Sequence, residues 1–169
     1  TGRLSPHQAR FIIQMPTGSG KTRTAMELIA HHLNENGGQP CRVMWLANVE
    51  ELCEQAISCF LEIWQHVGKY SVEVQRLWGR YPKPTEASFK ENKQFLVASL
   101  QSLRRPLANK DSDVISVISM TTLLIVDECH IAVAPTYARV VEDINFTSGC
   151  RIIGLTATPG RMMEDETAE

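Results

Sequence analysis

No two cysteines in this chain are spaced Cys-x-x-Cys. The five present, Cys41, Cys53, Cys59, Cys129 and Cys150, fall in apolar or helical contexts. That argues against zinc frameworks and disulfide scaffolds and for reduced, intracellular thiols. No apolar run is long enough to cross a bilayer and no stretch reads as a signal peptide. No membrane partner is therefore expected, and the expected compartment is the cytoplasm. Charge of either sign is also scarce in excess: 17 Lys and Arg stand against 19 Asp and Glu. Without a strongly basic balance, any nucleic-acid partner must be met by a local patch. No repeat or low-complexity tract occurs. A chain of 169 residues with 43% hydrophobic residues builds one ordinary core.

What is present is concentrated in two places. Residues 15–22 read Met-Pro-Thr-Gly-Ser-Gly-Lys-Thr, a variant of the phosphate-binding pattern Gly-x-x-x-x-Gly-Lys-Ser/Thr in which Met15 replaces the first glycine. The chemistry needs Gly18 and Gly20 instead, which let the backbone turn and bring its N–H groups close to phosphate oxygens. Pro16, Thr17, Gly18, Ser19, Gly20, Lys21 and Thr22 are the expected nucleotide-binding residues. Lys21 opens a helix whose N-terminus also favours an anion. Its ammonium is expected on the β- and γ-phosphates, with the Thr22 hydroxyl on Mg²⁺. Phe11–Met15 reads as a buried strand before the loop. The Ala25, Met26, Leu28, Ile29 and Leu33 spacing reads as a helix after it. A ligand-free glycine turn is the weaker reading.

The second place is Leu123-Leu-Ile-Val-Asp-Glu-Cys-His130. Two carboxylates after four apolar residues are costly in a core unless they meet a cation or donors. At the C-terminal edge of a parallel strand they emerge where open α/β sheets bind ligands. Alternation along a strand sends consecutive side chains to opposite sides. Asp127 is thus assigned to Mg²⁺ and Glu128 to the attacking water. The bland alternative is a strand end that caps the next helix.

Strands are expected near residues 10–15, 41–47, 72–77, 94–99, 122–127 and 151–156. Helices are expected near 21–35, 49–66, 99–108 and 136–144. Asn34–Pro40 and Gly79–Thr85 are breaks. Val114–Met120 fits a short helix or a strand. Alternating βα units with apolar strands imply a three-layer α/β fold with a mostly parallel central sheet.

Met15–Thr22, Asp127-Glu-Cys-His130 and Leu155-Thr-Ala-Thr-Pro159 resemble motifs I, II and III of superfamily 2 helicases and translocases. The flavour is that of the DEAD/DEAH-box group related to restriction-enzyme motor subunits. Trp45–Gln55 is similar to motif Ia, and Val97–Leu103 to the backbone-contacting segment before motif II. The resemblance covers about Phe11 to Arg161 and implies a RecA-like P-loop NTPase domain that hydrolyses ATP with Mg²⁺. It assigns His130 to relaying nucleotide state, and Thr156 and Thr158 to coupling hydrolysis to movement. Nucleic acid is the implied partner, with DNA favoured over RNA.

Three departures bear on that expectation. Asn48-Val49 stands where similar motors carry a basic residue in motif Ia, which removes a phosphate-binding cation. Arg80, Arg104, Arg105 and Lys110 are the remaining cations near the expected track. Gln8 is similar to an adenine-reading glutamine but lies too close to the P-loop for the usual intervening helix. Residues 1–169 are expected to form one domain, the first of two RecA-like domains in a longer protein. The second domain would supply an arginine finger, and a nuclease or methylase module is a further option. An RNA helicase, and a P-loop switch or phosphotransferase that touches no nucleic acid, stay open as alternatives.

Overall fold

The computed structural model describes residues 10–130 and 134–157. Among the described residues six strands and five α-helices follow one another in chain order: β1 (Arg10–Gln14), α1 (Lys21–Glu35), β2 (Cys41–Ala47), α2 (Glu50–Val67), β3 (Val72–Leu77), β4 (Lys93–Ser99), α3 (Leu100–Ala108), α4 (Ser112–Ser119), β5 (Thr121–Val126), α5 (Pro135–Ser148) and β6 (Arg151–Thr156). Every ladder is parallel, in the order β1-β6-β5-β2-β4-β3. The sheet is therefore wholly parallel where a mostly parallel one was expected.

Strand periodicity builds the layers. In β2, Val43, Trp45 and Ala47 join the core under α1 and α2, where Met26, Ile29 and Phe60 pack. The alternate residues Met44 and Leu46 join the opposite core with Val117 and Ile144 from α4 and α5. All seven β2 residues are buried, because this strand is covered on both faces and paired on both edges.

Two local expectations needed the structure. Val114–Ser119 is helical, within α4, and Met120 is its C-cap. Asp111 caps α4 by accepting from the N–H groups of Asp113 and Val114, and Val114, Val117 and Ile118 fall on the buried face. The reading of Phe11–Met15 as a buried strand is corrected, because among the described residues β1 is an edge strand paired only with β6. Phe11 and Ile12 are 61% and 72% exposed among the described residues. Apolar character alone cannot separate an edge strand from a central one.

One charged group is built into the sheet far from its ligand-binding edge. Arg42, 1% exposed, donates to Gln94 (2.6 Å), to both Glu86 oxygens (3.0 and 3.2 Å) and to the Val117 carbonyl. Its guanidinium also lies 3.8 Å from the centre of the Phe89 ring. This ties β2 to the β3–β4 connection and to α4. Nothing in the sequence pattern marked it.

Candidate active site

The β1–α1 turn has the conformation that its glycines allow. Gly18 and Gly20 sit at φ +77° and +89°, and the space a Cβ would fill at either is open. The demand within the fold is therefore conformational and not steric. Ser19 closes the loop, its N–H and hydroxyl both donating to the Pro16 carbonyl at 3.2 and 2.6 Å. Gly20 is the N-cap of α1, with no side-chain cap and no acidic residue in the first turn. Such a helix start offers N–H groups and a partial positive charge to an anion. Pro16–Gly20 are exposed, while Lys21 and Thr22 in the first turn are half-buried.

The acidic pair meets this turn across the sheet. Lys21 Nζ donates to Glu128 Oε1 at 2.6 Å. Glu128 Oε2 lies 3.2 Å from His130 Nδ1, which is also 3.2 Å from Thr156 Oγ1. With a proton on Nδ1, His130 donates to the carboxylate; with Nδ1 bare, it accepts from the threonine. The Met15 N–H donates to the Thr156 carbonyl at 3.0 Å. Segments expected to act together are thus joined by direct contacts.

Strand alternation does not explain how Asp127 and Glu128 separate. β5 ends at Val126, and Glu128 takes φ +49°. A left-handed conformation costs a non-glycine residue roughly 1–2 kcal/mol, and no spacing rule signals it. Asp127 is 6% exposed. Burial raises its carboxyl above the ordinary value, Lys21 pulls it down, and Glu128 raises it further. A buried carboxylate held partly against its ionised form suits a bound cation, and Thr22 supplies a hydroxyl in the first turn of α1. Asp127 and Thr22 therefore fit a Mg²⁺ site. Tyr137, 1% exposed, reaches the Asp127 carbonyl through its hydroxyl at 3.3 Å. A tyrosine in an amphipathic helix carried no functional signal in the sequence.

A profile of the family described as type III restriction enzyme, res subunit, matches residues 2–161. The chain belongs to this family. It is also similar to the ATP-dependent DNA helicase mph1 of Neurospora crassa, at 27% identity over 155 residues, covering 90% of this chain and 12% of that protein. The Hef helicase domain of Pyrococcus furiosus superposes with a TM-score of 0.63 at 26% identity, covering 94% of this chain and 31% of that one. The type ISP restriction-modification enzyme LlaGI, solved as a nuclease-deletion mutant with a DNA substrate mimic, matches the fold. Its TM-score is 0.63 at 17% identity, over 94% of this chain and 17% of that one. The chain therefore spans about an eighth of the mph1 relative's length. It is a helicase-type motor domain with a RecA-like fold, from a family of ATP-dependent enzymes.

Within this res-type domain, Thr158 and Gln8 lie outside the described residues. Arg80, Arg104, Arg105 and Lys110 are exposed, and among the described residues none of them pairs with a carboxylate. Val49 is exposed and is followed by Glu50 and Glu51 in the first turn of α2. The motif Ia edge is therefore acidic. No helix among the described residues is long and apolar enough to cross a membrane. All five cysteines are free thiols.

Proposed function

We propose that this chain is the ATP-binding first motor domain of a DNA helicase or translocase, working with a second RecA-like domain in its parent protein. The Lys21–Glu128 contact, with Asp127 beside it and His130–Thr156 behind it, is the observation that carries this reading. The Pro16–Thr22 loop would cradle the phosphates, with Lys21 on their charge. Thr22 and Asp127 would hold Mg²⁺, which when bound neutralises charge on the phosphoryl oxygens. Glu128 would accept the proton of the attacking water. His130 and Thr156 would pass the state of Glu128 to the edge that faces the second domain, and Thr158 is proposed for the same duty. The unpaired cations on α3 and after β3 would meet the polymer backbone, and DNA is favoured by the names of the relatives. A nuclease or methylase partner module is compatible with the resemblance to the restriction enzyme.

The acidic motif Ia edge favours one competing reading, a P-loop switch that never binds nucleic acid. Steady-state ATP hydrolysis by the full-length protein separates them. It is measured without polymer, with single- or double-stranded DNA, and with RNA, using Lys21→Ala as control. Stimulation by DNA that disappears in Lys21→Ala is the expected result. Stimulation by RNA alone would move the track assignment, and turnover indifferent to every polymer would favour the switch.

A further inference from the structure

The peptide linking Asp127 to Glu128 is held at both of its polar atoms. Its carbonyl oxygen accepts from the Tyr137 hydroxyl at 3.3 Å. Its N–H donates to Asp127 Oδ1 at 3.0 Å. One residue earlier, the Asp127 N–H donates to the Leu46 carbonyl at 2.9 Å, which anchors the turn to β2. The rotation of this peptide sets the direction in which Glu128 leaves the chain. Glu128 adopts φ +49° there, a region that residues with a Cβ hold only when their surroundings impose it.

Tyr137 comes from a different layer. It lies in the first turns of α5, whose Pro135 occupies a position where a missing N–H is harmless. The ring is buried in the core on that face of the sheet. Burial pushes the phenol well above its ordinary value, so the hydroxyl stays a donor at all working pH. A buried ring needs no hydroxyl to fill space, and this one points at the backbone of the acidic pair.

We infer that Tyr137 is a positioning residue: its hydroxyl clamps the Asp127 carbonyl and thereby aims the Glu128 carboxylate at Lys21 and at the attacking water. The inference rests on Glu128 being the hydrolytic base. It also gives α5 a direct mechanical link to the chemistry, because a shift of that helix would rotate the clamped peptide.

The test compares wild-type, Tyr137→Phe, Tyr137→Leu and Glu128→Gln full-length proteins in ATP hydrolysis, with thermal denaturation alongside. Tyr137→Phe keeps the ring and removes only the donor. Its kcat should fall about 10-fold with KM for Mg-ATP unchanged, as for loss of an outer-sphere contact. Tyr137→Leu should lose stability as well, with no further loss of kcat per folded molecule. A Tyr137→Phe kcat within about twofold of wild type overturns the proposal. So does a protein that fails to fold, or a loss that tracks the folded fraction, while the Glu128→Gln defect leaves the base assignment standing. Turnover that survives Glu128→Gln removes the base assignment and this inference together.

Discussion

Lys21 and Glu128, 107 positions apart in sequence, are in direct contact at 2.6 Å. The ammonium and the carboxylate neutralise each other in this arrangement. On the proposed function, a bound nucleotide would draw Lys21 towards phosphate and free the Glu128 carboxylate for water. Lys21→Ala should therefore weaken ATP binding and abolish hydrolysis. Glu128→Gln should keep nucleotide affinity and lower the hydrolytic rate about 10²–10⁴-fold, the usual share of a general base. Nucleotide titration and single-turnover hydrolysis of both variants check this. A Glu128→Gln protein with a near-normal rate would refute it.

Asp127 should cost stability at neutral pH. Its folded-state carboxyl is raised above the unfolded value, so the folded form binds the proton more tightly. The protein gains from this below the unfolded value of about 3.8. The gain is lost as pH rises through the folded value. Asp127→Asn keeps an oxygen for the Glu128 N–H and removes the buried charge. Its thermal midpoint at pH 7 should rise by about 2–4 °C, with little difference from wild type near pH 3.5, while Mg²⁺-dependent turnover disappears. Calorimetry at both pH values decides.

Gly154 leaves room for Cys129. A Cβ at residue 154 would stand 2.8 Å from Cys129 Sγ and 3.0 Å from its Cβ. Gly154→Ala must therefore displace the residue between Glu128 and His130, at a cost of about 1–3 kcal/mol. Adding Cys129→Ala removes the sulfur but leaves the Cβ contact, so stability should return only in part. A double-mutant cycle that found the two changes simply additive would contradict this packing account.

Arg42 should matter more than its partner. Arg42→Ala leaves Gln94, Glu86 and the Val117 carbonyl without their donor inside the fold, and should destabilise by about 3 kcal/mol. Glu86 is 43% exposed, so water replaces much of what it offers. Glu86→Gln leaves the buried Arg42 charge without its carboxylate but still held by Gln94 and the Val117 carbonyl, and should cost about 1–2 kcal/mol. Urea denaturation of both variants measures the difference.

Residues 1–169 alone should bind Mg-ATP weakly and turn it over slowly. An arginine finger from a second domain is typically worth about 10³–10⁵ in rate. Brisk hydrolysis by residues 1–169 alone would sink the proposed need for a second domain.

Much of the fold was readable before any coordinates. Alternating apolar strands and helices with clear breaks at Asn34–Pro40 and Gly79–Thr85 gave the element order, because period and turn chemistry are local properties. Val114–Met120 escaped because its run satisfies both periods, and only the Asp111 cap and the faces it meets select a helix. β1 reads as buried from its residues alone because edge and central strands share the same apolar residues.

The sequence by itself determined the chemistry available: glycines that tolerate left-handed angles before a lysine, and two carboxylates where an apolar strand stops. Both are properties of neighbouring residues, so they survive without tertiary information. The strand order, which inserts β6 between β1 and β5 and ties the Met15 N–H to the Thr156 carbonyl, was decided only in three dimensions. So were the left-handed turn at Glu128 and the hydroxyl of Tyr137 behind it. Each depends on crossover paths and packing between distant segments, which leave no periodic trace along the chain.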